Sequence, residues 1–310
     1  MAKFSLVIAT YNRAEQVMIT LRSVARQQAE ASLWECIVVD NNSSDHTAEN
    51  IRAFIAEHPQ LNIHYCLETK QGLSHARNAG IAHSSGEIVA FIDDDEHIVP
   101  GFIDAYLQVF ENYPDAMSAG GKIIAEYPTG RPQWMSKYAE EPIANPMDFG
   151  QAIKVFPKSR IPGGGNMAMR REVFDKIGVF DTALGRSGKK LTGGEESDLF
   201  ERMARQGMTC YYVPAAVMYH IIPESKLNQD YFSRLAYNNG RGQWERAVLH
   251  HRRFGLFVKE LCKWAATFLL CLTHRPIQSK YLLLLRKNIS KGIIQAACEQ
   301  NLKLALKINR

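Results

Sequence analysis

At 310 residues, 46% hydrophobic and 22% charged, the chain is long enough for one large globular domain with an extension, and its balance excludes wholesale disorder. The formal net charge of +5 is unevenly spread: residues 226–310 carry 16 Lys and Arg against 4 Asp and Glu, a net +12, which leaves −7 on residues 1–225. No stretch reaches the roughly 18 apolar residues of a membrane-crossing helix, the chain opens without an apolar signal segment, and the six cysteines include no C-x-x-C pair, so a reduced, cytoplasmic protein is expected.

The first half alternates strand and helix. Phe4–Ala9 is a short, apolar, β-branched run, the mark of a buried strand. Apolar residues at 17, 18, 21, 24 and 25 give residues 14–28 helical spacing. Residues 34–39 read as a second strand, and Ser44 or Asp45 as the cap of a helix that Pro59 ends. A third strand is expected at 62–67, a helix at 74–83 and a fourth strand at Ile88–Ile92. Pro100 opens a helix to Tyr113, and 117–126 is another strand.

Residues 127–161, rich in Pro and aromatics, read as a long loop over the sheet, and Pro162 to Asn166 as a turn. A short helix follows at 171–177, then a Gly- and Lys-rich loop at 182–194. A helix at 195–206 is closed by Gly207, and two short strands lie at 208–214 and 216–220. Beyond 226 the chain is helical and basic. This order predicts an α/β fold with a mostly parallel sheet flanked by helices. Such sheets bind ligands past the carboxyl ends of their strands. Four polar clusters fall there: Thr10 to Arg13, Asp40 to Asp45, Glu68 to Gly72, and Asp93 to Glu96.

Asp93, Asp94 and Asp95 follow a buried strand at once. Adjacent carboxylates repel unless a cation relieves them. A hard divalent ion with oxygen ligands, Mn²⁺ or Mg²⁺, suits them and would bridge to phosphates. Asp40 stands where an acid accepts hydrogen bonds from a nucleoside. No G-x-G-x-x-G follows the first strand and no G-x-x-x-x-G-K-[ST] occurs, which argues against a dehydrogenase and excludes a P-loop.

Val7-Ile-Ala-Thr-Tyr-Asn-Arg13, Val38-Val-Asp-Asn-Asn-Ser-Ser-Asp45, Gly72-Leu-Ser-His-Ala-Arg-Asn-Ala-Gly80 and Phe91-Ile-Asp-Asp-Asp95 occur in order. Together they resemble the family 2 glycosyltransferases, of the GT-A (Rossmann-like) fold, over residues 3–225. The resemblance implies a catalytic domain at 1–225, its nucleotide half about 1–125 and its acceptor half about 126–225, with a basic helical extension at 226–310.

It also implies roles. Thr10, Tyr11, Arg13 and Glu15 would line the nucleotide pocket, and Asp40 would bind the base, uracil in the commonest members. Lys70, Arg77 and Asn78 would sit near the nucleotide and its phosphates. Asp93 and Asp94 would stand on the nucleotide-sugar side and Asp95 on the metal. Gly193-Gly-Glu-Glu-Ser-Asp198 resembles the segment that supplies the catalytic base, with Glu196 in place of the usual Asp, which leaves the base among Glu195, Glu196 and Asp198. Acids in the first turn also suit a helix dipole, and Thr192 with Glu195 fits a capping box. His220 matches a late histidine that helps bind the metal, and Asn166 a segment near the transferred sugar.

The implied activity is an inverting, metal-dependent transfer of a sugar, from a UDP-sugar in the commonest members, to a saccharide or lipid-linked saccharide in surface polysaccharide or glycolipid assembly. A non-catalytic nucleotide-sugar-binding scaffold and a sugar nucleotidyltransferase are the alternatives. The basic tail, with its apolar stretches, reads as helices on an anionic membrane surface, peripheral at the inner face of the cytoplasmic membrane. Packing on the catalytic domain or on a second subunit, the latter a homo-oligomer, is the other reading of the tail. No nucleic-acid motif accompanies its charge.

Overall fold

The computed structural model describes residues 2–186 and 193–308. Thr192, the expected capping partner of Glu195, and residues 187–191 of the Gly- and Lys-rich stretch before it lie outside the described residues. The chain divides into two compact units. One comprises Met1–Glu126, Pro146–Gly188 and Glu195–Ile221; the other comprises Tyr127–Asn145, Lys189–Gly194 and Ile222–Arg310.

The first unit is built on a sheet. Strands β1 (Phe4–Thr10), β2 (Trp34–Asp40), β3 (Ile63–Leu67) and β4 (Ile88–Asp93) are parallel, in the order β3-β2-β1-β4. All seven residues of β1 and of β2 are buried. That explains their mostly apolar sequence, since a parallel strand is covered on both faces; the buried polar groups Ser5 and Glu35 bond to each other at 2.6 Å. Alternate residues feed two cores: Leu6, Ile8 and Val38 on one side, Val7, Ala9 and Val39 on the other. Helices α1 (Gln16–Val24), α2 (Thr47–Glu57), α3 (Leu73–His83) and α4 (Phe102–Asn112) connect or follow these strands.

The rest of the sheet is mixed. Beyond β5 (Glu96–Ile98) and β6 (Ala116–Glu126) come β7 (Lys154–Val155), β8 (Met167–Arg170) and β9 (Thr209–Ile221). Past β4 the order is β8-β6-β9-β5, with β8 antiparallel to β4 and β6, and β6 parallel to β9. The sequence reading missed β8, a Met-Ala-Met-Arg run with no β-branched residue, and β5, hidden behind the acidic cluster.

The two strands expected at 208–214 and 216–220 are one. β9 runs through Pro214, where its pairing with β6 shifts between Gly121–Val213 and Lys122–Val217. Proline has no N–H for the ladder. The carboxamide of Asn166 fills the break, donating to the Lys122 and Ala216 carbonyls, both at 3.0 Å. Helices α6 (Arg171–Ile177) and α7 (Glu195–Arg205) complete this unit among the described residues, and Arg205 closes α7 close to the expected end.

The second unit is helical. α5 (Lys137–Ala144) corrects the loop expected across 127–161: Ser136 caps it, accepting from Ala139 N, and Asn145 ends it in the left-handed region. α8 (Gln229–Leu249), α9 (Arg253–Cys271) and α10 (Pro276–Ile308) follow. Trp134 stacks on Tyr281 with ring centroids 4.1 Å apart, and Phe232 closes the cluster. No helix of the described residues is long and apolar enough to cross a membrane.

Candidate active site

The carboxyl ends of β1, β2 and β4 lie side by side, because Thr10 pairs with Asp40 and Ala9 with Asp93. The turns beyond them are tightly laced. Asn12 and Asn42 both adopt positive φ, 52° and 63°. Asn12 accepts from Ser44 N at 2.7 Å and donates its own N–H to Ser43 Oγ at 2.9 Å. The N-cap of α2 is His46, without a side-chain cap bond, and not Ser44 or Asp45 as expected; Asp45, one residue earlier, accepts from Thr47 N at 3.0 Å.

Thr10 is buried at the end of β1, while Tyr11 and Glu15 are exposed beyond it. Asp40 is buried, and both carboxylate oxygens are engaged, one by Ser43 N and the other by Tyr65 Oη, each at 2.9 Å. Lys70 is exposed, on a loop held by a residue the sequence reading passed over. Asn41 donates to the Glu68 and Lys70 carbonyls at 3.0 and 2.7 Å and accepts from Gly72 N at 2.8 Å. Its signal was only its place after the second strand.

The acidic run spans the end of β4, a turn at Asp94 and Asp95, and the start of β5. Asp93 and Asp95 are half-buried; Asp94 and Glu96 are buried. Arg13 meets Asp95 at 2.9 Å and Asp94 at 3.1 Å. Burial alone would lower the pKa of Arg13, but Asp94 and Asp95 raise it further than burial lowers it. Burial pushes Asp94 up to about 7 despite Arg13. Glu96 accepts from Asp93 N at 2.8 Å; burial, then Asp93 and Asp95, drive its carboxyl well above the usual range.

Oxygens of Asp93, Asp95 and Glu96 lie within 4.8 Å of one another. A closely spaced, mutually repelling set of hard oxygen donors fits Mg²⁺ or Mn²⁺. Glu96 was not assigned to the metal from sequence. The sign was there in the Gly-Gly-Gly turn: a Cβ on Gly165 would stand 2.1 Å from Glu96 Oε1. His220, opposite Glu96 on β9, brings Nε2 to 3.8 Å from Asp95 but is outside that oxygen triad.

Arg77 ties this cluster to the acids of α7. It is a fully buried guanidinium, 1% exposed, lying 3.1 Å from Asp93, 2.9 Å from Glu196 and 3.5 Å from Glu195. Burial would raise Glu196, but Arg77 prevails and holds its carboxyl below the ordinary glutamate range. Burial, then the charge of Glu196, pushes Glu195 up to about 7. Among the described residues, Glu195 Oε2 is buried without a hydrogen-bond partner. Gly164 makes room for this contact: a Cβ there would lie 2.1 Å from Glu196 Oε1 and 2.7 Å from Arg77 Nη2.

Three expected site residues are placed differently. Asp198 is buried and bonded to Arg202 Nε at 2.9 Å, which joins α7 to the end of α6. Asn78 brackets the Phe180 backbone, donating at 2.9 Å and accepting at 3.0 Å. Asn166 is fully buried, accepts from Tyr106 Oη at 2.6 Å, and spends its amide on the β6–β9 break. Their polar atoms serve the scaffold of the site.

The family model described as Glycosyl transferase family 2 matches residues 5–178. A glucosyl-dolichyl phosphate glucuronosyltransferase of Haloferax volcanii is 28% identical over 233 residues, 74% of this chain and 72% of its own. The succinoglycan biosynthesis protein ExoM of Rhizobium meliloti is 27% identical over 238 residues, 76% of this chain and 72% of its own. The mannosyltransferase PcManGT of Pyrobaculum calidifontis, solved with GDP-Man and Mn²⁺, has the same fold with a TM-score of 0.61 at 19% identity, covering 93% of this chain and 87% of that one.

Proposed function

The chain belongs to glycosyl transferase family 2, and from that premise we propose that it moves a sugar from a nucleoside diphosphate donor to an acceptor hydroxyl with inversion, Glu196 taking the acceptor's proton. The observation that carries this reading is the Arg77 bridge: one buried cation contacts both Asp93, among the acids suited to the leaving diphosphate, and Glu196.

In the proposed step the acceptor oxygen attacks the anomeric carbon as the bond from that carbon to the diphosphate oxygen breaks. The proton goes to Glu196, and the bonding electron pair leaves with the diphosphate. Glu196 is suited because it is partly exposed and, held by Arg77, ionised across the neutral range. Glu195, almost wholly buried and with a proton affinity near neutrality, shapes the field around Arg77 rather than facing the acceptor. The strand-end residues Thr10, Tyr11, Arg13, Asp40 and Lys70 would take the nucleotide.

Asp93, Asp95 and Glu96 would hold a divalent cation, with His220 beside Asp95. When bound, such a cation offsets the charge that grows on the departing diphosphate. The Mn²⁺ in the Pyrobaculum mannosyltransferase supports Mn²⁺ as the first ion to try. The donor proposed is a UDP- or GDP-sugar, and the acceptor a saccharide or lipid-linked saccharide. The second choice is supported by relatives whose names place them on glucosyl-dolichyl phosphate and in succinoglycan synthesis.

The test is incubation with a panel of UDP- and GDP-sugars and Mn²⁺. Slow, metal-dependent release of the nucleoside diphosphate with one donor supports transfer. Tight binding without release would indicate a scaffold, and pyrophosphate formed from a nucleoside triphosphate and a sugar phosphate a nucleotidyltransferase.

A further inference from the structure

Helix α9 leaves one face uncovered. Phe254, Val258, Leu261, Phe268, Leu269 and Leu272 are all exposed, with Phe254 at 84%, Leu261 at 70% and Leu272 at 83%. At 3.6 residues per turn these six fall within an arc about 100° wide, a continuous apolar stripe. The helix is held from another side, where Leu256, Glu260 and Thr267 are buried. Scattered exposed apolar residues need no explanation, but a stripe along a whole helix does.

Charge decides what covers it. The exposed charged residues of α9 are Arg253, Lys259 and Lys263, all cationic. Its one acid, Glu260, is buried and paired with Lys263 at 2.9 Å and Arg286 at 3.4 Å. Exposed Arg252 precedes the helix and exposed Arg275 follows it. A second copy of this helix would bring the same cations and no exposed acid to meet them. An anionic lipid surface supplies both an apolar interior for the stripe and phosphates for the cations.

We propose that α9 docks on an anionic bilayer, lying along the surface with this stripe in the interface. Its 19 residues span about 28 Å at 1.5 Å per residue. It lies on the membrane and does not span it, since no helix of the described residues is long and apolar enough to cross and Lys259, Glu260 and Lys263 interrupt this one. The docking rests on α9 alone. It supports the reading of a lipid-linked acceptor, because a surface-bound enzyme meets such an acceptor in two dimensions.

The experiment is co-sedimentation of the full chain with vesicles of phosphatidylcholine, alone or mixed with phosphatidylglycerol. The full chain is expected to sediment with the mixed vesicles, and high salt to weaken binding severalfold as the cations are screened. The double variant Leu261→Glu with Phe268→Glu is expected to lose binding by about tenfold or more, because it sets two carboxylates in the interface. Both positions are exposed, so an unchanged circular dichroism melt should accompany the loss. If that variant misfolds, Phe254→Ser with Leu272→Ser carries the same expectation. Equal sedimentation of parent and variants would overturn the proposal. So would a dimer in analytical ultracentrifugation that the variants dissociate while vesicles leave the parent in solution. The vesicles contain no saccharide, so a failure of docking is distinct from a failure of transfer.

Discussion

Arg77 places one guanidinium 2.9 Å from Glu196 and 3.1 Å from Asp93, in a position only 1% open to solvent. Asp93 ends β4 and Glu196 lies in the first turn of α7, so this contact joins the carboxyl end of β4 to α7 within the same unit. Removing one partner from a buried ionic cluster leaves uncompensated charge. Arg77→Ala is therefore expected to lower unfolding free energy by about 3–5 kcal/mol. Arg77→Lys keeps the charge but loses the planar fork, and is expected to recover part of the stability with little of the transfer rate. Urea unfolding beside rate measurements checks both, and an alanine variant as stable as the parent would remove the bridge from the account.

The pH dependence separates the two glutamates. Glu195 has a folded pKa raised from 4.5 to about 7, by burial first and then by Glu196. The folded protein therefore binds its proton more tightly than the unfolded chain. Its contribution to stability falls as pH rises from about 4.5 to 7, then stays level. Glu195→Gln is expected to flatten that part of the stability profile, as read by urea midpoints. Turnover at saturating donor is expected to stay flat across the neutral range, because Arg77 holds Glu196 below the usual carboxylate range. An acidic limb centred near pH 7 would assign the base to Glu195.

Asp95 is expected to matter only with metal present. Asp95→Ala should weaken nucleotide-sugar binding in Mn²⁺ by at least about a hundredfold, more than the loss of an outer partner of a metal ligand. Binding without Mn²⁺ should change little. Titration calorimetry in Mn²⁺ and in chelator reads the difference, and equal affinities under both conditions would contradict the metal role.

Gly164 tests close packing against the base. Its missing Cβ leaves room for Glu196 Oε1 and Arg77 Nη2. Gly164→Ala is expected to displace Glu196 by about an ångström and cost roughly 10²-fold in transfer, as small misplacements near a reacting centre do. Donor binding, which the proposed function assigns to the strand ends, is expected to hold. Activity within a few-fold of the parent would mean that Glu196 is not positioned by this turn.

The parallel half of the sheet was readable because its strands are buried on both faces and so are mostly apolar, as in Phe4–Thr10 and Trp34–Asp40. The mixed half was read only in part: the strand expected at 117–126 is β6, and those at 208–214 and 216–220 are β9. β8 has no β-branched residue, and β9 hides a proline at its register shift. The same limit applies to the site. Asp93 and Asp95 stood out as an acidic run, but the partnership of Arg77 with Glu196 spans 119 positions and leaves no local trace. Asn78 and Asn166 were expected near the donor by the family resemblance alone; their carboxamides bond to backbone at Phe180, Lys122 and Ala216. Sequence records residue type; whether a polar side chain meets a ligand or repairs the backbone depends on neighbours far along the chain.

The proton-accepting role of Glu196 is tested most directly by Glu196→Gln, assayed with the donor that the panel identifies and a matching acceptor. The substitution keeps the side chain's length and shape but removes its negative charge, and with it both its capacity to take a proton and its ionic pairing with Arg77. Donor affinity in Mn²⁺ within about threefold of the parent, with turnover lowered by roughly 10²–10⁴-fold, is the predicted result. Turnover retained at the parent's level, with donor binding intact, would contradict it.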